Sequence, residues 1–363
     1  MATTSVRDLR ATESPRLALG MVQVLGQTHA THPTGEAPTL AVGIVRFSRY
    51  IHEPHEPNRL AVKIVCPVRC AVVHLPPYKL AEFQFAYCYR VYLRWHTHRL
   101  RQLAPLRSLT LPAMQELAGR FDIQVLECNA SDTEALVLVS LQPAETVSAC
   151  ASKLKGQLSK WLRTSLALEQ PESLLGNGYF ACTSGQSTQD AVNAYLDKQS
   201  AHHGYAERVL KPVHVEEFTL TDAAERDLNP SHACALLKFH VVLASQRRVG
   251  VFGAKSGKAI AAAWRELETE CEQKFALLKV SFVPDHVHLA VQQHPATSPA
   301  AVVVELMNAA QETMRGSFPE DLIQAGVSRL WQPSAYIGSF GEIKSRQVAA
   351  YVRRWREQAG SGG

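Results

Sequence analysis

Phe282-Val283-Pro284-Asp285-His286-Val287-His288-Leu289-Ala290-Val291 reads as the end of one strand, a tight turn and the start of the next. Side chains alternate faces along a strand, so His286 and His288 point the same way while Val287 and Leu289 face a core. Two imidazoles on one rigid strand make half of a site for a divalent metal ion. The same pair could equally be two histidines on a half-buried strand, so the rest of the chain has to decide. Asp285 is read first as a turn former after Pro284, with orientation of a ligand histidine as its alternative role.

Composition leaves room for more than one domain. The chain has 363 residues, 46% of them hydrophobic, and a mild net charge of +5 that permits a nucleic-acid partner without requiring one. No apolar run approaches the 18 or so residues that a membrane span needs. The polar start, Met1-Ala2-Thr3-Thr4-Ser5-Val6-Arg7-Asp8, gives no sign of a signal peptide. Eight cysteines (66, 70, 88, 128, 150, 182, 234 and 271) lack a disulfide-framework spacing and are expected to be reduced thiols of a cytoplasmic protein. Cys66 and Cys70 have no second pair with which to build a zinc site.

The chain repeats itself. Leu174-Leu175-Gly176-Asn177-Gly178-Tyr179-Phe180 matches Leu330-Trp331-Gln332-Pro333-Ser334-Ala335-Tyr336 at an offset of 156, and the same offset puts Gly185 on Gly341 and Tyr195 on Tyr351. Asp132–Leu138 matches Asp285–Val291 at 153, and Tyr89–Leu93 matches Phe239–Leu243 at 150. Slowly growing offsets are what two copies with small loop insertions give, here over 83–204 and 231–358.

Each copy carries a strand (83–95; 235–245), a helix (109–120; 256–274), two strands (121–128 and 134–141; 276–283 and 286–293) and a second helix (145–163; 299–316). A loop and a last helix (187–199; 344–357) follow. This order predicts an α+β fold, an antiparallel sheet covered by helices in each of two tandem copies. Residues 1–80 form an N-terminal extension without an assignable role, 205–230 a linker and 359–363 a flexible tail.

Pro284-Asp285-His286-Val287-His288-Leu289, Leu330-Trp331 with Tyr336-Ile337-Gly338-Ser339-Phe340-Gly341, and Val192-Asn193-Ala194-Tyr195-Leu196-Asp197-Lys198-Gln199 together resemble the single-tyrosine HUH transposases, the TnpA-like and REP-associated groups. The resemblance covers nearly all of 83–358 and implies two tandem HUH-type domains, ferredoxin-like or RRM-like, that form a pseudo-dimer. It implies a Mg²⁺ or Mn²⁺ ion held by His286, His288 and Gln199, and a tyrosine that forms a covalent 5′-phosphotyrosine with DNA. Tyrosine and glutamine four apart share one helix face.

The departures from that pattern are complementary. The first copy has Thr133 and Ala135 where the repeat puts the histidines, yet keeps Tyr195 and Gln199. The second keeps His286 and His288 but has Trp355 four residues after Tyr351. Family members work as dimers with the tyrosine helix of one subunit reaching the HUH strand of the other, which implies one composite site built from Tyr195, Gln199, His286 and His288. Tyr351 is the alternative nucleophile. His240, opposite Arg90 in the repeat, is read as a satisfied strand residue rather than a third histidine ligand.

DNA contacts are expected from Arg90, Arg94, Arg99 and Arg101, which interleave with aromatic residues, from Lys153, Lys155, Lys160 and Arg163 along the second helix, and from Arg247 and Arg248. The implied activity is metal-dependent cutting and rejoining of single-stranded or hairpin DNA by a monomer acting as an intramolecular pseudo-dimer, in a bacterial, nucleoid-associated setting. One working site suits a host task such as processing hairpin or telomere-like DNA ends or palindromic repeats. The contrasting reading is a catalytically silent hairpin-DNA-binding protein, a repressor or end-capping factor.

Overall fold

A strand that the sequence reads as loop joins the two copies. The computed structural model describes residues 77–169, 173–185, 189–197 and 211–341, and these lie in one compact unit, Ala71–Gly363. The first copy contributes β1 (Gln84–Cys88), β2 (Arg90–His96), α1 (Ala104–Arg107), α2 (Leu111–Gly119), β3 (Gln124–Ala130), β4 (Glu134–Ser140), α3 (Val147–Ser165), β5 (Tyr179–Ser184) and α4 (Gln189–Asp197). The stretch expected to be a linker carries β6 (His214–Glu217) and α5 (Asp222–Asp227). The second copy supplies β7 (Ala233–Ser245), α6 (Ala254–Glu270), β8 (Phe275–Val283), β9 (His286–Gln293), α7 (Pro299–Ser317), α8 (Pro319–Gln324) and β10 (Trp331–Phe340). The last helix predicted at 344–357 and the extension before residue 77 lie outside the described residues.

All pairing within a copy is antiparallel. The copies meet through two parallel pairings that make the ten-stranded sheet mixed: β5 runs beside β7 from Tyr179↔Ala233 to Cys182↔Leu236, and β1 beside β10 from Gln84↔Ser334 to Cys88↔Gly338. Each copy thus lends its last strand to the first strand of the other. The fold is the expected α+β pseudo-dimer, but with a strand before the last helix of the first copy and at the matching place in the second. Pro333 in β10 sits where the pairing register with β7 shifts, between Trp331 and Ala335, so the ladder tolerates it.

Two hydroxyls close the seam reciprocally. Thr183 Oγ1 accepts from Lys238 N (2.9 Å) and donates toward Phe340 O (2.8 Å). Ser339 Oγ accepts from Arg90 N (2.9 Å) and lies 2.7 Å from Ser184 O. Gly185 follows β5 at this crossing. A Cβ there would stand 2.2 Å from Ser339 O and 2.9 Å from Phe340 Cα, so only glycine fits.

One sheet face is covered by helices. Serine or threonine starts the second helix of each copy: Thr146 accepts from Ala149 N, and Ser298 from Ala301 N. α3 then buries Val147, Cys150, Ala151, Leu154, Leu158 and Leu162, and α7 buries Val302, Val303, Leu306, Met307, Ala310 and Met314. Against them stand the inward residues Val91, Leu93, Trp95, Ala135, Val137 and Val139 of the first copy, with Val241, Leu243, Val287, Leu289 and Val291 of the second. Each fully buried large side chain contributes about 1.5–3 kcal/mol. Among the described residues no helix is long and apolar enough to cross a membrane.

Candidate active site

β9 is buried along its whole length, so its alternation separates two buried faces. Val287, Leu289 and Val291 meet the helices, and His286, His288, Ala290 and Gln292 occupy the opposite face. Pro284 and Asp285 form the two-residue turn between Val283 and His286. That turn is pinned to the loop after β7, because Pro284 O accepts from Val251 N (2.7 Å) and Phe252 N (3.0 Å). The histidine pair therefore sits on a clamped hairpin rather than a free strand end.

His286 is 7% and His288 4% exposed, and their ring centroids are 4.9 Å apart. Burying polar rings is costly unless they bond, and each ring uses its Nδ1. His286 Nδ1 meets Asp285 Oδ1 at 2.6 Å, and His288 Nδ1 meets His240 Nε2 at 3.0 Å. Asp285 thus does both jobs considered for it, turning the chain and orienting His286. Its other oxygen takes Arg248 Nε at 2.9 Å. Burial would raise the Asp285 carboxyl, but the His286 hydrogen bond and charge, together with Arg248, outweigh it and hold the group below its ordinary value. A metal met by these imidazoles is met through Nε2 of each.

Neutral imidazoles suit the divalent ion expected here. Among the described residues no three His, Cys, Asp or Glu side chains cluster to hold a metal, so the described donors are His286 and His288. Gln199 lies outside the described residues, as do Tyr351 and Trp355. Tyr195 falls on α4, and its side chain lies outside them too.

α4 leaves its own copy. Past Gly185 it lies on the histidine face of the second copy, where Val192 packs with Leu278 of β8, Ala290 of β9 and Phe340 of β10. Ala290 is two residues beyond His288 on the same face.

A family model for the IS200-like transposases matches residues 90–199 and 233–355. The chain belongs to the IS200-like transposase family. Among solved structures, a Deinococcus radiodurans R1 protein described as a transposase is 23% identical over 34% of this chain and 91% of its own, with a TM-score of 0.26. No curated protein matches the chain. The family assignment rests on the two matched segments, and it makes this a transposase-type DNA-processing protein that carries the family region twice.

In this transposase the sheet register corrects the alignment of the two halves. Ser131 N bonds Glu134 O across the turn Asp132–Thr133, as the Val283–His286 pair brackets Pro284–Asp285. Glu134 pairs with His96 and Leu136 with Arg94, just as His286 pairs with Ala244 and His288 with Val242. The counterparts of His286 and His288 are therefore Glu134 and Leu136, not Thr133 and Ala135. Ala135 faces the helices and is 0% exposed. A one-residue slip moves every side chain of a strand to the other face.

Glu134 is closed by an internal cation. Arg94 Nε bonds its Oε2 at 3.0 Å, Arg94 Nη2 bonds it as well, and His96 Nδ1 lies 3.5 Å away. Arg94 was expected on DNA; the structure engages its guanidinium in this pair, 13% exposed. Of the other expected DNA residues, Arg90 is exposed on the face of β2 opposite the helices. Arg99 and Arg101, and Arg247 and Arg248, stand exposed on matching loops after β2 and β7. Both loops hold two consecutive left-handed residues, Arg99 with Leu100 and Arg247 with Arg248. Arg247 also bonds Gly326 O, and Arg248 bonds Asp285. Lys153, Lys155, Lys160 and Arg163 lie on α3, in the helix layer on the far side of the sheet from the histidines. Burial lowers the pKa of Lys155.

His240, read from the sequence as a strand residue, touches His288, and Tyr336, which that reading did not single out, stands exposed with its ring 6.1 Å from that of His240. Tyr336 could have been found from strand alternation, had residues 331–340 been read as a strand.

Proposed function

We propose that the chain cuts and rejoins a single DNA strand, in hairpin or unpaired form, at one composite site: Tyr195 and Gln199 from the first copy, His286 and His288 from the second. The observation that carries this reading is the packing of α4 on the second copy through Val192, Leu278, Ala290 and Phe340. Three residues after Val192 along that helix comes Tyr195. Four residues after Tyr351 stands Trp355 in place of glutamine, which favours Tyr195 further.

The Tyr195 phenol oxygen attacks the scissile phosphorus, and its proton is lost to solvent or a nearby base. The P–O3′ bond breaks, the 3′ oxygen leaves as a hydroxyl after taking up a proton, and the 5′ phosphate stays on the tyrosine. A free 3′-OH then reverses the step, so the phosphodiester bond is regained without an external energy source. His286, His288 and Gln199 would hold Mg²⁺ or Mn²⁺, which when bound polarises the phosphate and draws charge from it. Asp285 and its Arg248 partner keep His286 in its ligating orientation. The exposed Arg99, Arg101 and Arg247 are suited to the flanking phosphates. One composite site fits a host task on a single junction, such as a hairpin end or a palindromic repeat.

The test is incubation with end-labelled hairpin DNA and Mn²⁺, followed by mapping of the modified tyrosine. Tyr195→Phe and His286→Ala are expected to abolish the covalent adduct, while Tyr351→Phe and Tyr336→Phe retain it. An adduct that survives Tyr195→Phe and is lost in Tyr351→Phe overturns the composite site. Hairpin binding without any covalent product, with either metal, establishes the catalytically silent binding protein in its place.

A further inference from the structure

His240 lies on β7 opposite Ala290, with its ring 11° from parallel to that of His288 and Nε2 3.0 Å from His288 Nδ1. We propose that His240 is a positioning residue for the metal site: its Nε2 accepts the Nδ1–H of His288 and so fixes the tautomer that offers Nε2 of His288 to the ion. This rests on the reading that His286 and His288 bind the metal.

Two observations support the assignment. First, the pair of histidines is then held in one way at two places, since Asp285 Oδ1 does for His286 what His240 Nε2 does for His288. Ligating histidines commonly donate their second ring N–H to such an acceptor. Second, the two copies differ together. The sheet register puts Tyr92 at the place of His240, because Tyr92 pairs with Leu138 and Cys182 as His240 pairs with Ala290 and Gly338. Leu136 replaces His288 in that copy and has no ring nitrogen to orient, and Tyr92 donates its hydroxyl to Glu127 Oε2 at 2.7 Å. The acceptor is present where the histidine is present and missing where it is missing.

His240 is not proposed as a ligand. With His286 and His288 it would complete a three-residue cluster, and among the described residues no such cluster is arranged to hold a metal.

The experiment is calorimetric titration of Mn²⁺ into the full chain without DNA, with counting of coordinated imidazoles from the nitrogen couplings of bound Mn²⁺. His240→Ala is expected to weaken Mn²⁺ binding about 10- to 100-fold. His240→Gln, whose side-chain carbonyl can accept the same proton, recovers most of that loss. Both variants and the unsubstituted chain show two coordinated imidazoles, and metal-free hairpin binding is unchanged. Unaltered Mn²⁺ affinity in both variants overturns the proposal. So does a count of three imidazoles that drops to two in His240→Ala, which makes His240 a ligand. If His286→Ala binds Mn²⁺ as well as the unsubstituted chain does, the metal site itself fails and His240 falls with it.

Discussion

Glu134 and Leu136 decide what became of the first copy's site. The alternation of His286 and His288 was legible in the sequence, and so was their loss from the first copy. Their counterparts were not, because the matching aspartates Asp132 and Asp285 drew the alignment one residue off the true turn. Thr133 is in fact a turn residue, and Ala135 belongs to the core. The corrected register makes a prediction. Arg94→Val and Tyr92→His with Glu134→His and Leu136→His should create a second Mn²⁺ equivalent in calorimetric titration. Histidines placed at 133 and 135 should not create one, and Ala135→His should instead destabilise the fold by about 1–3 kcal/mol in urea unfolding, because it overpacks a filled core. A second equivalent from positions 133 and 135 would restore the sequence alignment.

Helix α4 is where local signals and long-range placement part. Its apolar spacing and its Tyr195 were readable, and the structure has it at Gln189–Asp197 within the predicted 187–199. The strand that aims it was read as loop, since the matching segment in the second copy is interrupted by Pro333 and Gly338. Gly185 was visible as a repeated glycine, but its reason is tertiary: the backbone of Ser339 and Phe340 passes where a side chain would begin. Gly185→Ala should therefore cost about 1–3 kcal/mol by denaturant unfolding. It should also lower covalent adduct formation while His286 and His288 still bind Mn²⁺. An alanine variant with unchanged stability and adduct yield would show that the crossing is not so close.

The two copies share one sheet, so they should unfold together. Backbone circular dichroism and the fluorescence of buried Trp95 in the first copy, or of Trp264 and Trp331 in the second, should give one coincident transition. Thr183→Val and Ser339→Ala each leave a seam partner without its hydroxyl, and each is expected to destabilise by about 1–3 kcal/mol with the transition still single. Two separated transitions would mean that the parallel pairings do not couple the copies.

Periodicity, turn residues and recurring motifs are properties of neighbouring residues, so the chain carries them openly. They were enough to give the duplication, the faces of the histidine strand, most helices and the family. Which strand lies beside which across some 150 residues is not encoded in any local period. It follows from closing two incomplete sheets against each other, where backbone groups of β1, β5, β7 and β10 find their partners only in the assembled fold. That closure laid α4 on the second copy's histidine face, while pairing within each copy set the register behind Glu134 and brought His240 to His288.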